Sequence, residues 1–322
     1  MLTGMLTPVV ILQGLLGRAL STYRTEMPMI LYIIKVIIIF WFVKFGSELI
    51  GEAIVIGLHF ICGKNPLKGE MFDAGTIMLI TYYGYGIMIG IMFLYWKLFQ
   101  KKTLAELGFT KNACAYFVGA FAGLVLIIVS VVSVGFTGAL TYHGLFSDID
   151  YIYIFLMLGG FICQGAMEEV LCRGIVLQLL KDRTRIPVVV GVSTALFIIP
   201  HLDKMTEEGA GIIIIAIINL ILISIIFSLI TLRMNSIWAA CGLHTIWNFT
   251  LYNILGLNLS GNNGATAAVL NMSSEGSNVL NGGLYGIEAS AVTTVVLSTA
   301  LILFYAVSRY TEKSVENKEL LN

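Results

Sequence analysis

The chain reads as an all-α protein, a polytopic transmembrane helical bundle of about eight spans. Three observations lead there. Hydrophobic residues make up 58% of the 322 and charged residues 12%, with a mean hydropathy of +0.91, against roughly 45–50% and 25% in soluble domains. The apolar runs are long and continuous, about the 20 residues a helix needs to cross a bilayer, without the short alternating segments of a membrane barrel. Basic residues fall in alternate connections between those runs, which is the bias that orients membrane helices.

In order, the spans fall at about 29–61, 74–98, 113–136, 151–180, 186–202, 210–232, 236–256 and 287–309. The first is too long for one straight crossing, so a tilt or a break near Gly46–Gly51 is expected, with Lys44 pairing with Glu48 and Glu52. The fifth is short, and Pro187 suits its first turn, where a missing N–H costs nothing. Between spans two and three, KKTLAELGFTKN (101–112) is too short and charged to cross and reads as an interfacial helix or elbow. Residues 258–286, rich in Asn, Gly and Ser, read as a loop. Residues 1–28 show no charged-then-apolar signal order and read as cytoplasmic or interfacial. The domain reading is 1–100 as an N-terminal segment with two spans, 101–312 as the catalytic membrane domain and 313–322 as a cytoplasmic tail. Thirteen Lys and Arg lie in the N-terminus, alternate connections and the C-terminus. Only Lys64, Lys68 and Lys204 lie in the opposite loops, so both termini are expected in the cytoplasm.

A net charge of zero gives no bulk field to recruit nucleic acid. The five cysteines form no CxxC pair and read as packed thiols. No internal repeat is evident, which counts against a duplicated transporter fold.

Chemistry concentrates in three spans. FICQGAMEEVLCR (161–173) puts two glutamates and an arginine inside an apolar stretch, where ionisable groups usually mark function. On a helix Glu169 and Arg173 share a face and can pair. Glu168 lies roughly 100° round the helix and is left free. The fifth span ends in Phe197-Ile-Ile-Pro-His201, and the seventh carries His244 and Asn248 one turn apart. At about 1.5 Å per residue, Glu168, His201 and His244 lie about 20, 24 and 17 Å above the nearest inner basic residue. They therefore share a level near the middle of a core about 30 Å thick. A glutamate in apolar surroundings can take a proton from water near neutral pH, aided by an imidazole, while a second imidazole and an amide donate to an oxyanion. No GxSxG is present, and Ser193 lies about two turns below His201, so a serine mechanism is disfavoured.

EEVLCR, FIIPH and HTIWN, in this order and spacing, resemble the E-E-x-x-x-R, F-x-x-x-H and H-x-x-x-N/D motifs of the CPBP family. These are intramembrane proteases typified by type II CAAX prenyl endopeptidases and abortive-infection-like proteins. The resemblance runs from about Leu104 to the last span. It implies that Glu168 activates water with His201, that His244 and Asn248 form the oxyanion site, and that Arg173 with Glu169 braces the fourth span beside Phe197. It also implies a membrane-associated or lipidated peptide or protein as substrate, the bilayer as the other partner, and neither nucleic acid nor a soluble cofactor. Bacteriocin maturation or self-immunity would suit a host without prenylated clients. No HExxH is present. No cofactor is expected to be required, although Glu168, His201 and His244 are a set that zinc accepts. A non-proteolytic regulator or scaffold of the same fold is the alternative, and a proton-coupled transporter using Glu168 a third reading.

Elsewhere, His59 and His143 are expected at interfaces, Lys35 is expected to snorkel, and Asn219 to join helices. Gly119 and Gly123 are expected at a close helix contact, and Tyr82, Tyr83, Tyr85 and Trp96 in packing or an interfacial belt.

Overall fold

The computed structural model describes residues 27–205, 208–262 and 267–319, with side chains as far as 311. The readings made above for residues 1–26 and for the side chains of Lys313 and Lys318 lie outside the described residues.

Among the described residues nine helices carry the fold: α1 (Met29–Ile61), α2 (Ala74–Tyr95), α3 (Leu104–Leu107), α4 (Ala115–Phe136), α5 (Tyr151–Glu169), α6 (Ile186–Ile198), α7 (Ala210–Met234), α8 (Trp238–Phe249) and α9 (Ala291–Glu319). Eight of them stand where spans were expected. Six are long and apolar enough to cross a membrane, whereas α6 and α8 are shorter. This is a multi-pass membrane protein.

α5 is the hub. It runs on through a widened π-type turn (Val170–Val176) and a last α turn (Leu177–Leu180). Its most apolar stretch is 56% buried, against 11% for those of α2 and α9, which face outward. Wide turns of this kind recur at functional sites because they re-aim side chains. Here Ser193 donates to the Cys172 carbonyl and Gln178 to that of Arg173, so the loosened backbone stays satisfied.

Of the expected tilt or break in α1, the break is absent: the helix is continuous. Its glycines 46, 51 and 57 would each accept a Cβ without contact, so nothing forces a kink. A stripe of Val36, Phe40, Val43 and Ser47 is buried at helical spacing, with His59 near the end, while Ile38, Phe42 and Phe45 face outward. Lys44 pairs with Glu48 alone. Trp96 is buried and donates to the Thr103 carbonyl, so it packs, whereas Tyr83 is exposed and donates to the carbonyl of Leu156.

The expected elbow is α3. Thr103 and Glu106 form a reciprocal capping box. Gly108, at φ 112°, then turns the chain so that its carbonyl accepts from Ile237 N and Ser236 Oγ. A Cβ there would meet Ile237 at 2.7 Å, so the position needs glycine for both torsion and space.

Two expectations need correction. His59 is buried rather than interfacial: its Nδ1 donates to the Val55 carbonyl and its Nε2 accepts from Phe72 N, pinning the turn after α1. The stretch 258–286 is not all loop. Leu270–Ser274 (β2) pairs antiparallel with Leu140–Leu145 (β1), in register Leu140 to Ser274, with a bulge between Tyr142 and Leu145. Asn219 joins helices as expected, donating to the Glu288 and Ser290 carbonyls and accepting from Thr294.

The placement of α8 rests on α4. A Cβ on Gly119 would lie 1.8 Å from the Ala239 carbonyl oxygen, and one on Gly242 would lie 2.0 Å from that of Tyr116. The two backbones therefore touch, as small-residue seams allow in membranes. Gly242→Val is expected to cost about 3 kcal/mol or more through forced separation of the helices. A melting temperature in detergent checks this. Gly90→Ala, with open space around it, should leave that temperature unchanged or slightly raised.

The capping box carries a pH dependence. Hydrogen bonds from the Thr103 backbone and hydroxyl hold the exposed Glu106 carboxyl below its ordinary value. A depressed carboxyl stabilises above its unfolded value, and that contribution is lost as pH falls through the lowered one. Amide exchange at Thr103 and Glu106 should therefore quicken, relative to intrinsic rates, only in acid below about pH 4.5.

Candidate active site

The three motifs meet. Glu168 and Glu169, adjacent at the end of α5, point to different sides as the helical rotation requires. Glu169 is fully buried, and its Oε1 accepts from Arg173 Nη1 at 3.1 Å. The same oxygen accepts from His244 Nδ1 at 3.1 Å, a contact the sequence spacing did not reveal.

Arg173 is also fully buried. Its Nη2 donates to the Ser224 carbonyl (3.0 Å) and hydroxyl (2.6 Å), and its Nε reaches Ser228 at 3.5 Å. The rings of Phe197 and Phe227 lie 4.7 and 5.1 Å from its guanidinium carbon. Its charge is thus balanced, its donors are used and its faces are covered, which is what lets an arginine stay in an apolar interior. Phe197, the expected support, is in this cage. Phe227 was not foreseen; it also stacks on His244 at 5.1 Å and 18°.

Glu168 faces a cavity of about 360 Å³. Its Oε1 accepts from Gln164 Nε2 at 2.6 Å. Its Oε2 is buried without a hydrogen-bond partner, 3.9 Å from His201 Nε2 and 3.9 Å from His244 Nε2. His201 sits in the tight turn Ile199–His201 that closes α6, where Pro200 lacks the N–H to continue the helix. Its Nδ1 donates to the Phe197 carbonyl at 2.8 Å. Each Nδ1 faces an oxygen that can only accept, so each Nδ1 carries a proton, and both Nε2 atoms turn toward Glu168. Asn248, one turn above His244, donates from Nδ2 to Gln164 Oε1 at 3.0 Å.

Glu168 Oε2 and the two Nε2 atoms thus lie together on the wall of one cavity. A separation of 3.9 Å is too wide for a direct hydrogen bond, yet a water at ordinary contact distance of about 2.8 Å from each atom would close the gap. A zinc ion at about 2.0–2.1 Å from Glu168 Oε2 and either Nε2 would need an angle near 145°, far from tetrahedral. Among the described residues no group of three or more His, Cys, Asp or Glu gathers as a metal set.

The rest of the cavity is lined from outside the motifs. Phe40, Lys44 and Glu48 of α1, Tyr82 and Tyr85 of α2, and Glu288 before α9 form part of its wall. The two tyrosines were expected in packing or an interfacial belt. Glu288 accepts from Trp247 Nε1 at 3.2 Å and from the backbone N and hydroxyl of Ser260 at 2.6 and 2.7 Å, which ties residues near Ser260 to α8. Of the residues missed in the sequence, Gln164 could have been found from its four-residue spacing to Glu168. Ser224 and Ser228 form a similar four-spaced pair inside an apolar helix. Glu288 and Phe227 carry no such signal.

The two glutamates should separate on stability. Glu169→Ala leaves a buried guanidinium without its countercharge and is expected to cost about 3–5 kcal/mol. Glu168→Ala removes a carboxylate with one hydrogen bond and should cost about 1 kcal/mol. Thermal unfolding of the two purified variants side by side measures the difference.

No curated protein and no solved structure matches the chain. Residues 150–250, the stretch that carries all three motifs, match the family model described as type II CAAX prenyl endopeptidase Rce1-like. The stretch that holds the site is thus similar to the Rce1-like endopeptidases, in agreement with the resemblance of its motifs to the CPBP family.

Proposed function

We propose that the protein is an intramembrane endopeptidase that cleaves a membrane-associated or lipidated peptide with a water activated by Glu168. The observation that carries this reading is the convergence of Glu168 Oε2 with the Nε2 atoms of His201 and His244, each 3.9 Å away, on the wall of the cavity. An unpartnered carboxylate oxygen with two imidazole nitrogens 3.9 Å away on a cavity wall favours a small molecule that both donates and accepts, and water is that molecule.

In the proposed reaction Glu168 Oε2, oriented with His201, takes a proton from the water as its oxygen bonds to the scissile carbonyl carbon. The carbonyl oxygen becomes the oxyanion and takes hydrogen bonds from the second Asn248 N–H and from Nε2–H of His244 in its protonated form. Glu168 then returns the proton to the departing nitrogen as the C–N bond breaks. No step needs a metal. Elemental analysis of wild type beside His244→Ala tests this metal-free route.

The basic residues on one side of the spans support an orientation with both termini in the cytoplasm. Wild type and Glu168→Ala, purified in detergent, are to be compared on quenched-fluorescent peptides with and without an attached lipid chain. Loss of a general base should lower the rate by about 10²–10⁴. Equal cleavage by both proteins would end the catalytic assignment. Intact cellular function in Glu168→Gln would favour a scaffold instead.

A further inference from the structure

We infer that Gln164 is a positioning residue: it turns Glu168 so that Oε2 alone serves as the base, and Asn248 sets the direction in which Gln164 can act. The inference deepens the proposed reaction and rests on it. The chain of contacts runs from α8 to α5: Asn248 Nδ2 to Gln164 Oε1 at 3.0 Å, then Gln164 Nε2 to Glu168 Oε1 at 2.6 Å.

The polarity of this chain is forced from the carboxylate outward. An ionised carboxylate can only accept, so the Gln164 amide must present its NH2 to Glu168. Its oxygen is then left facing α8 and needs a donor, which the Asn248 amide provides. Reversing either amide would place oxygen against oxygen or NH2 against NH2. The pair therefore has one satisfied arrangement.

The consequence is an asymmetry between the two oxygens of Glu168. Oε1 is engaged by a short, charge-assisted contact, while Oε2 is buried, unpartnered and level with the two histidines. A carboxylate held by one oxygen cannot spin about its last bond, so the proton from water arrives at a fixed atom. Gln164 is one turn before Glu168 on α5, and itself buried. The reach of Asn248 depends on how closely the helices cross: a Cβ on Gly165 would stand 3.1 Å from Thr245 N. Asn248 retains a second N–H and its oxygen, so this role and a contact with substrate are compatible.

The tests are Gln164→Met, which keeps length without hydrogen bonding, Gln164→Asn, which keeps polarity but falls one methylene short, Asn248→Ala, and the double variant Gln164→Met/Asn248→Ala. On a quenched-fluorescent lipidated peptide cleaved by wild type, both Gln164 variants should lose about tenfold in kcat with KM unchanged. On the Asn248→Ala background, Gln164→Met should cost less than about threefold more, because the two residues act as one chain. A rise in KM with kcat intact, or a full tenfold loss on both backgrounds, would overturn the assignment.

A second readout needs no substrate. Dicyclohexylcarbodiimide modifies protonated carboxyl groups in membranes, and peptide mass spectrometry reports its attachment to Glu168. At one fixed pH, attachment should be several-fold faster in Gln164→Met and in Asn248→Ala than in wild type, because a carboxyl that has lost its Oε1 contact is free to turn toward the reagent. It should be no faster still in the double variant. Unchanged attachment would refute the link between Gln164 and Glu168 even if wild type cleaved no peptide, which separates this failure from failure of the proposed protease activity.

Discussion

A single buried cation organises the protein. Arg173 sits fully enclosed at the centre of the bundle, and an unpaired charge there would cost several kcal/mol. Every nearby element answers it: Glu169 from its own helix, Ser224 and Ser228 from α7, and the ring of Phe197 from α6. Ser224 passes the link on to Thr194 of α6. Glu169, committed to Arg173 by one oxygen, uses the same oxygen to hold His244 of α8. Four spans are thus indexed to one another around one guanidinium, and the histidine that faces the cavity takes its ring orientation from a carboxylate whose first duty is to neutralise the arginine.

Much of this was written in the residue order. Two neighbouring glutamates with one arginine four places on can be resolved by helical rotation alone, and the rotation puts Glu169 inward and Glu168 at the cavity as read. Rise per residue from the basic ends brought Glu168, His201 and His244 to one level, because spans that cross the same slab share a ruler. What stayed hidden has a common cause. Phe227 and Glu288 act through contacts between elements, whose relative placement no single helix encodes, whereas the four-residue spacing of Gln164 to Glu168 was legible and only its link to Asn248 was not. The pairing of β1 with β2 escaped because LTYHGL and LNMSS are short, polar-tinged and 125 or more residues apart. The seam of α4 with α8 was visible only as a spacing of glycines. Its strictness comes from Gly242, which no pattern paired with Gly119 in advance.

The cavity also divides the molecule into parts of different character. The motif-bearing stretch 150–250 provides Glu168, both histidines and Asn248. The opposite wall comes from α1 and α2, through Phe40, Lys44, Glu48, Tyr82 and Tyr85, and from Glu288 near the start of α9. Lys44 and Glu48 face one another beside this space rather than the lipid, which is the usual way a membrane helix keeps ionisable groups at depth.

That first helix is attached by a narrow stripe, with most of its surface turned outward. Its inward residues pack on the turn that carries Arg173, yet it supplies none of the groups proposed to react. In the proposed protease, a change along this peripheral rod would re-tailor what the cavity admits, while the reacting groups stay on α5, α8 and the end of α6.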